Sequence, residues 1–141
     1  MNMTSSGDGL ERWRELVGAC SDPLRLRLLR LLAGREEVCV CHLHEALEAP
    51  QPTVSRHLAV LRRCRVVLGR KLGLWVYYRL AGGPGRSREV EGLAVRDLLT
   101  CLAAKLGEPA EFVDDQRRLE RLLRGEEVPL VEIRRDAKRP R

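Results

Sequence analysis

Aromatic side chains are scarce in this chain, whose 141 residues include one Phe, two Trp and two Tyr, whereas leucine is abundant. A composition poor in aromatic and β-branched residues argues against a sheet-rich fold and favours helices. No apolar run approaches the length needed to cross a bilayer, and the first ten residues are polar, so we expect no membrane partner and no secretory signal. Apolar residues still make up 44% of the chain, which is enough for the core of one mainly helical domain.

Cysteine is present in an odd number and at irregular spacing, which argues against a disulfide scaffold. Free thiols are typical of a reducing compartment, so we expect a cytoplasmic protein. Two of the cysteines are separated by a single residue, and this pair needs another explanation. The five cysteines are Cys20, Cys39, Cys41, Cys64 and Cys101.

Acidic residues are missing between Gln51 and Leu80, although the whole chain has 20 of them against 26 basic residues. Because this stretch holds seven basic residues, the rest of the chain, with 19 basic and 20 acidic residues, is close to neutral. The net charge of +6 is therefore concentrated in one block, as expected for a surface that binds a polyanion. A solvated basic surface without a partner is the alternative that charge alone leaves open. The seven residues are Arg56, Arg62, Arg63, Arg65, Arg70, Lys71 and Arg79.

Hydrophobic periodicity predicts five to six helices and one β-hairpin, a mainly α (α+β) fold. Asp22 and Pro23 suit the N-cap and first turn of the second helix, and Gly34 suits its end. From Leu74 to Leu80 the apolar period changes to two, which predicts a strand, with a partner over residues 66–71 and a reversal at Gly73. The predicted helices cover residues 10–20, 24–33, 38–48, 53–63, 90–106 and 109–123.

Two helices joined by a tight, proline-bearing connection and followed by a hairpin form a winged helix-turn-helix outline. We place this domain, for DNA binding and dimerisation, in residues 10–106. A disordered N-terminus (residues 1–9) would precede it, and a charged helical extension with a basic tail (residues 107–141) would follow.

The helix that begins near Gln51 carries the clearest chemistry. Val54, Leu58 and Leu61 form its inward face, so the other side chains near its N-terminus project outward. Such a helix fits the major groove of B-DNA, where Arg56 can pair with guanine and Gln51 with adenine. Helix capping by Gln51 and Thr53, and a structural role for His57, are alternatives. The predicted DNA contacts are Gln51, Thr53, Ser55, Arg56 and His57, with phosphate contacts at Arg62, Arg63, Arg70 and Lys71.

Two thiols and two imidazoles lie within the six residues Cys39-Val40-Cys41-His42-Leu43-His44. Thiolates are soft ligands, so the cluster suits arsenite, antimonite, zinc, cadmium or lead. Residues two apart on a regular helix point about 200° apart, so Cys39 and Cys41 converge only at an irregular helix start, whereas Cys41 and His44 share a face. We predict Cys39, Cys41 and His44 as metal ligands. Ordinary packed cysteines are the alternative.

Four motifs in order resemble the ArsR/SmtB family of metal- and metalloid-responsive repressors over residues 16–80. They are Ser21-Asp22-Pro23, Glu37 to Cys41, Gln51 to Leu58 and Trp75 to Leu80. The resemblance implies a homodimer with the first and last core helices at its interface. It also implies a repressor that an inducer releases from a palindromic operator in double-stranded DNA.

In arsenic-sensing relatives a third cysteine stands where this chain has His44. The third ligand could be His44 or a distant thiol (Cys20, Cys64 or Cys101), or two thiols could suffice. The leading inducer is As(III) or Sb(III) at Cys39 and Cys41, with Zn, Cd or Pb as alternatives, and no other cofactor is expected.

The chain departs from the family pattern at three places: the apolar wing tip Lys71-Leu72-Gly73-Leu74, Cys64-Arg65 in place of Ala-Gly, and Pro50 in place of the usual cap. Two other functions are alternatives for a chain with paired thiols. A repressor whose thiols sense oxidation keeps the same DNA-binding mode. A small thiol enzyme needs a phosphate-type loop or a Cys-x-x-Cys helix start, and neither is present, so we expect no catalytic residues and no enzymatic activity.

Overall fold

The structure is a computed structural model that describes residues 6–125. Residues 1–5, which belong to the predicted N-terminal segment, and residues 126–141, which contain the predicted basic tail, lie outside the described residues. Within residues 6–125 the elements are α1 (Ser6–Ala19), α2 (Pro23–Ala33), β1 (Val38–Cys39), α3 (Val40–Ala46), α4 (Gln51–Arg63), β2 (Val67–Leu72), β3 (Trp75–Leu80), α5 (Val90–Leu106) and α6 (Ala110–Arg124). The predicted mainly helical winged helix-turn-helix is confirmed. In this part of the chain no helix is both long and apolar enough to cross a membrane.

Helix α2 lies in the centre of the core. Asp22 caps it as predicted, since its Oδ2 accepts a hydrogen bond from the Arg25 backbone N–H at 3.0 Å, and Pro23 occupies the first turn. Such a cap contributes about 1 kcal/mol. Four leucines of α2 are fully buried, and each contributes roughly 2 kcal/mol by leaving water. They are Leu28, Leu29, Leu31 and Leu32.

The helix-turn-helix consists of α3 and α4. The chain reverses between them at Glu48, whose φ is +52°, and the Ala49 N–H donates to the His44 carbonyl at 3.1 Å. Helix α4 begins at Gln51, two residues earlier than predicted. Its predicted inward face is confirmed, because Val54, Leu58 and Leu61 are fully buried.

The sheet has the strand order β1-β3-β2. The hairpin of β2 and β3, which we call the wing, is confirmed, with Leu72 paired to Trp75 and with Gly73 at the reversal in a left-handed conformation (φ +63°). The prediction that a helix begins at Val38 is wrong. Val38 and Cys39 form β1 and pair with β3 instead, because this supplies hydrogen-bond partners to an edge of β3 that would otherwise lack them.

The first helix and the last two helices differ in how well they agree with the predictions. Helix α1 begins at Ser6, so residues 6–9 are helical and the prediction of disorder for them is wrong. Helix α5 has the predicted bounds. Helix α6 packs on α2 and α3 with Leu119 fully buried, so the helical part of the extension shares the core of the domain.

Candidate nucleic-acid interface and thiol pair

The N-terminal half of α4 presents a polar outward face. Gln51 and Arg56 are exposed, and Thr53 and Ser55 are partly exposed. The Gln51 Nε2 donates to Ser55 Oγ at 3.3 Å, and the Arg56 Nη2 donates to Thr53 Oγ1 at 3.4 Å. These bonds are long and lie at the surface, so exchanging them for bonds to a ligand costs little.

The beginning of α4 has no side-chain cap. Its N-cap residue is Pro50, and no side chain accepts a hydrogen bond there, so the alternative in which Gln51 or Thr53 caps the helix is not what the structure shows. The first backbone N–H groups of a helix carry a partial positive charge. The start of α4 therefore favours a negatively charged group.

His57 is directed toward the start of α2 rather than outward. Its Nδ1 lies 3.2 Å from Arg25 Nη1, and its Nε2 lies 3.9 Å from Asp22 Oδ2. The same Arg25 side chain donates to the carbonyls of Ala19 at 2.7 Å and Gly18 at 3.3 Å. These contacts match the structural alternative for His57, and they link α1, α2 and α4. Sequence reasoning missed Arg25, because neither its spacing nor its residue type indicated this link.

Three basic residues of the acid-free block are exposed near the far end of α4 and on the wing. Arg62 and Arg63 occupy the last turn of α4, and Lys71 lies on β2. Within residues 6–125 none of the three forms an ion pair with a carboxylate. Their charges are therefore available to the phosphate backbone of a nucleic acid.

Arg70 is different, because a carboxylate already holds it. Its Nη2 lies 2.6 Å from Glu37 Oε1 and its Nε lies 3.0 Å from Glu37 Oε2. Its guanidinium also lies over the ring of Tyr77, 5.3 Å from the centroid. The hydrogen bonds and charge of Arg70 lower the pKa of the Glu37 carboxyl. The sequence predicted Arg70 as a phosphate contact but not this partner, which lies 33 residues away.

The thiols of Cys39 and Cys41 meet, with their Sγ atoms 2.8 Å apart and each residue 4% exposed. Cys39 is the last residue of β1 and the N-cap of α3, with an extended backbone (φ −67°, ψ 142°). Cys41 lies in the first turn of the helix. Because Cys39 lies outside the helix, the separation of about 200° between residues two apart on a regular helix does not apply to Cys39 and Cys41. This boundary is the irregular helix start at which the two thiols were predicted to converge.

The thiol pair supplies two soft donors, and the third predicted ligand is less clearly placed. His44 is buried one turn after Cys41, with its Nε2 3.6 Å from Glu45 Oε1. Among residues 6–125, no three His, Cys, Asp or Glu side chains are grouped so that they could hold a metal ion. The donor chemistry of Cys39 and Cys41 fits a thiophilic ion, and the identity of a third ligand stays a prediction.

The other three cysteines lie on other elements. Cys20 follows α1, Cys64 caps the end of α4, and Cys101 is exposed on α5. Burial raises the pKa of the Cys20 and Cys64 thiols, and Cys64 adds to the rise at Cys20. A raised pKa makes a thiol less reactive, because the thiolate is the reactive form.

Known proteins are similar to the region that contains this surface. A family model described as "Bacterial regulatory protein, arsR family" matches residues 22–68. An uncharacterized HTH-type transcriptional regulator of Methanocaldococcus jannaschii is 43% identical over 68 residues, which make up 48% of this chain and 76% of that protein. The arsenical resistance operon repressor of Escherichia coli (strain K12) is 46% identical over 67 residues, 48% of this chain and 57% of that protein. The chain thus spans little more than half the length of the latter relative.

A solved structure is similar over a longer part of the chain. It is the homodimeric winged helix-turn-helix DNA-binding domain of a possible ArsR-family transcriptional regulator from Mycobacterium bovis. The TM-score is 0.57 at 26% identity, and the similarity covers 74% of this chain and 94% of that one. The similarity to this structure thus extends well beyond the residues that the family model matches.

Proposed function

The chain belongs to the ArsR/SmtB family of winged helix-turn-helix transcriptional regulators, and on that premise we propose that it is a homodimeric repressor released from its operator by arsenite or antimonite at Cys39 and Cys41. Regulators of this family bind DNA and are not enzymes. One arrangement carries the proposal: the helix that begins at the buried thiol pair packs directly on the helix with the exposed polar and basic face.

DNA reading is assigned to the outward face of α4. In the major groove, Arg56 would donate two hydrogen bonds to a guanine and Gln51 would pair with an adenine. Thr53 and Ser55 would contact bases or phosphates from the same turn of the helix. Arg62, Arg63 and Lys71 would neutralise phosphates on either side and fix the register of the protein on the duplex.

Dimerisation is assigned to α1 and α5, which each expose a row of apolar side chains at helical spacing. The rows are between 39% and 79% exposed, and the Arg12–Glu91 ion pair of 2.9 Å connects the two helices. Exposed apolar surface of this kind marks an interaction site. The homodimeric Mycobacterium bovis domain supports the same assembly here. The rows are Leu10, Trp13 and Val17 on α1, and Leu98, Leu102 and Leu106 on α5.

A two-fold dimer would present its two copies of α4 about 34–36 Å apart, one turn of B-DNA. The operator would then be a palindrome with half-sites at that spacing. Each protomer would contribute one copy of the thiol pair.

Arsenite is the leading inducer because trivalent arsenic binds sulfur strongly, and because a similar protein is an arsenical resistance operon repressor. Arsenous acid carries three hydroxyl groups. When a thiol bonds to arsenic, its proton leaves with one hydroxyl group as water, so Cys39 and Cys41 together release two waters with no change in oxidation state. A third bond would go to His44 or to another thiol, or the last hydroxyl group would stay on arsenic.

Release from DNA follows from the position of the thiols at the boundary between β1 and α3. An arsenic atom bonded to both sulfurs would tie Cys39, at the end of β1, to Cys41, in the first turn of α3. This would restrain the end of β1 on β3 and shift the start of α3 against α4. The ligand then favours a conformation in which α4 and the wing no longer match the operator.

A DNA-release titration tests the proposal. Fluorescence anisotropy of a fragment from upstream of the protein's own gene would be followed while arsenite, antimonite, zinc, cadmium or lead is added in strong reductant. We expect Cys39→Ser and Cys41→Ser to bind DNA and to lose the arsenite response. The wild type is the reference, and Cys101→Ser, which removes an exposed thiol on α5, tests whether the loss of response is specific to the pair.

The same titration distinguishes the alternatives. Loss of response in His44→Ala, Cys20→Ser, Cys64→Ser or Cys101→Ser would identify a third ligand. Release by zinc, cadmium or lead at lower concentrations than arsenite would identify a divalent-metal sensor, and release only after oxidation would identify a redox sensor. If Cys39→Ser, Cys41→Ser and His44→Ala all respond to arsenite like the wild type, the assigned inducer site is wrong.

A further inference from the structure

An ion pair joins the segment that carries the thiols to the wing. Glu37 lies two residues before Cys39, and both of its carboxylate oxygens accept hydrogen bonds from Arg70 on β2. The Arg70 guanidinium also lies over the Tyr77 ring, 5.3 Å from the ring centroid. The pair therefore connects the first residues of the thiol segment with a predicted phosphate contact.

The register of the sheet explains why these residues meet. Cys39 on β1 is paired with Tyr77 on β3, and Tyr77 is paired with Arg70 on β2. The thiol segment, the aromatic ring and the guanidinium thus form one row across three strands. Glu37 lies outside this row, two residues before Cys39, and its side chain reaches across to Arg70 on the far strand.

Charge makes this pair unusual within the basic block. Between Gln51 and Leu80 there are seven basic residues and no acidic ones. Within residues 6–125, only Arg70 and Arg79 of these seven form ion pairs, and Arg79 pairs with Glu89, next to α5. Of the four predicted phosphate contacts (Arg62, Arg63, Arg70 and Lys71), Arg70 is therefore the one whose charge a carboxylate already neutralises.

A guanidinium group presents a planar fork of N–H donors that matches a carboxylate or a phosphate in the same bidentate geometry. The Glu37 carboxylate uses the Nε and Nη2 edge of this fork. A DNA phosphate that approached the same edge would have to displace the carboxylate.

We propose that Glu37 and the DNA backbone compete for the Arg70 guanidinium, and that this competition couples the thiol pair to the wing. With the thiols free, β1 can shift enough for Arg70 to leave Glu37 and bind a phosphate. A ligand on Cys39 restrains the end of β1 and keeps Glu37 on Arg70. This inference rests on the proposed function, since it explains how occupation of that site weakens DNA binding.

Glu37→Gln tests the competition, with Glu36→Gln as the matched control. Glu36 is exposed and forms no ion pair within residues 6–125, so both variants remove one negative charge at nearly the same place. We expect Glu37→Gln to bind operator DNA about two- to fivefold more tightly than Glu36→Gln, the range for a partly exposed ion pair.

The same two substitutions in an Arg70→Ala background separate competition from a general structural effect. If Glu37 acts through Arg70, the difference between the two variants disappears when Arg70 is absent. A merely structural role of Glu37 in β1 would keep the difference. Glu37→Asp retains the charge on a shorter side chain and should fall between the wild type and Glu37→Gln.

Sodium arsenite supplies the second readout. We expect the arsenite-induced loss of DNA affinity to be smaller in Glu37→Gln than in Glu36→Gln by the same two- to fivefold factor. Equal affinities of the two variants, a difference that survives in Arg70→Ala, or an arsenite response of full size in Glu37→Gln would each overturn the inference. If the wild type binds DNA and responds to arsenite in those cases, the proposed function stands. A wild type with no salt-sensitive DNA affinity would end both.

Discussion

Replacing Asp115 by Asn tests how α6 is held against the helix-turn-helix. The Asp115 side chain is 1% exposed and lies between two arginines. Its Oδ1 accepts from Arg27 Nη2 at 2.8 Å and from Arg118 Nη2 at 2.7 Å, and its Oδ2 accepts from Arg27 Nε at 2.9 Å. Each arginine also donates to the end of α3: Arg27 to the Leu47 carbonyl at 3.1 Å and Arg118 to the Ala46 carbonyl at 2.6 Å.

The magnitude follows from the loss of the one buried negative charge between two positive charges. Asparagine keeps the shape, but its amide nitrogen would face the Arg27 Nε donor, so one hydrogen bond becomes a contact between two donors. Breaking a buried ion pair from one side costs about 3–5 kcal/mol. Because both arginine side chains are about a quarter exposed, water offsets part of this, and we expect about 3 kcal/mol. The corresponding fall in Tm is about 10 °C.

Urea unfolding followed by circular dichroism measures this change. All variants must be compared at one protein concentration, because the stability of the proposed dimer would depend on it. Asp114→Asn is the matched control: Asp114 is the preceding residue, is exposed, and pairs with Arg117 at 3.9 Å. Such a surface change should stay within about 0.5 kcal/mol. If Asp115→Asn lies within about 1 kcal/mol of the wild type, the contacts of Asp115 with Arg27 and Arg118 do not hold α6 in place.

Three further changes have defined outcomes. The Arg79 guanidinium, together with a backbone N–H, lowers the pKa of Glu89 from its ordinary 4.5 to about 2, so the stability that the Glu89 carboxylate contributes is present above pH 4.5 and is lost as the pH falls towards 2. In urea unfolding, Glu89→Gln should remove at most about 3 kcal/mol of this pH-dependent stability, and less because solvent screens the pair. An unchanged dependence of the free energy of unfolding on pH would contradict this prediction. Gly92→Ala would make a Cβ overlap the Ala81 carbonyl oxygen, so α5 must shift. The free energy of unfolding should then fall by about 3 kcal/mol, whereas unchanged stability would show that the two segments are not in contact. Lys71→Ala should reduce the slope of log affinity against log salt by about 0.9 without changing sequence preference, and an unchanged slope would remove Lys71 from the phosphate contacts.

Local periodicity was sufficient for most of the helices and for the wing. The buried leucines of α2, the inward face of α4 and the alternation along β3 each record one face of an element in consecutive residues, so that face could be inferred without knowing what covers it. The Asp22 cap was predictable for the same reason, since donor and acceptor are three residues apart. Strand β1 was not, because two residues are too few to display a period, and its conformation depends on the open edge of β3.

The candidate site divides along the same line. The residue types of the site can be read directly from the chain: a thiol pair, a polar helix start and a basic block without acids. Helix geometry also predicts that the thiols can meet only where the helix is irregular. Their partners are defined by the folded molecule, in which β1 ends at Cys39 and the two sulfurs meet, His57 contacts Arg25, Glu37 pairs with Arg70, and Asp115 lies between Arg27 and Arg118. Helix and strand periods depend on neighbours along the chain, whereas ion pairs and strand edges depend on groups tens of residues apart that meet only after the core has formed.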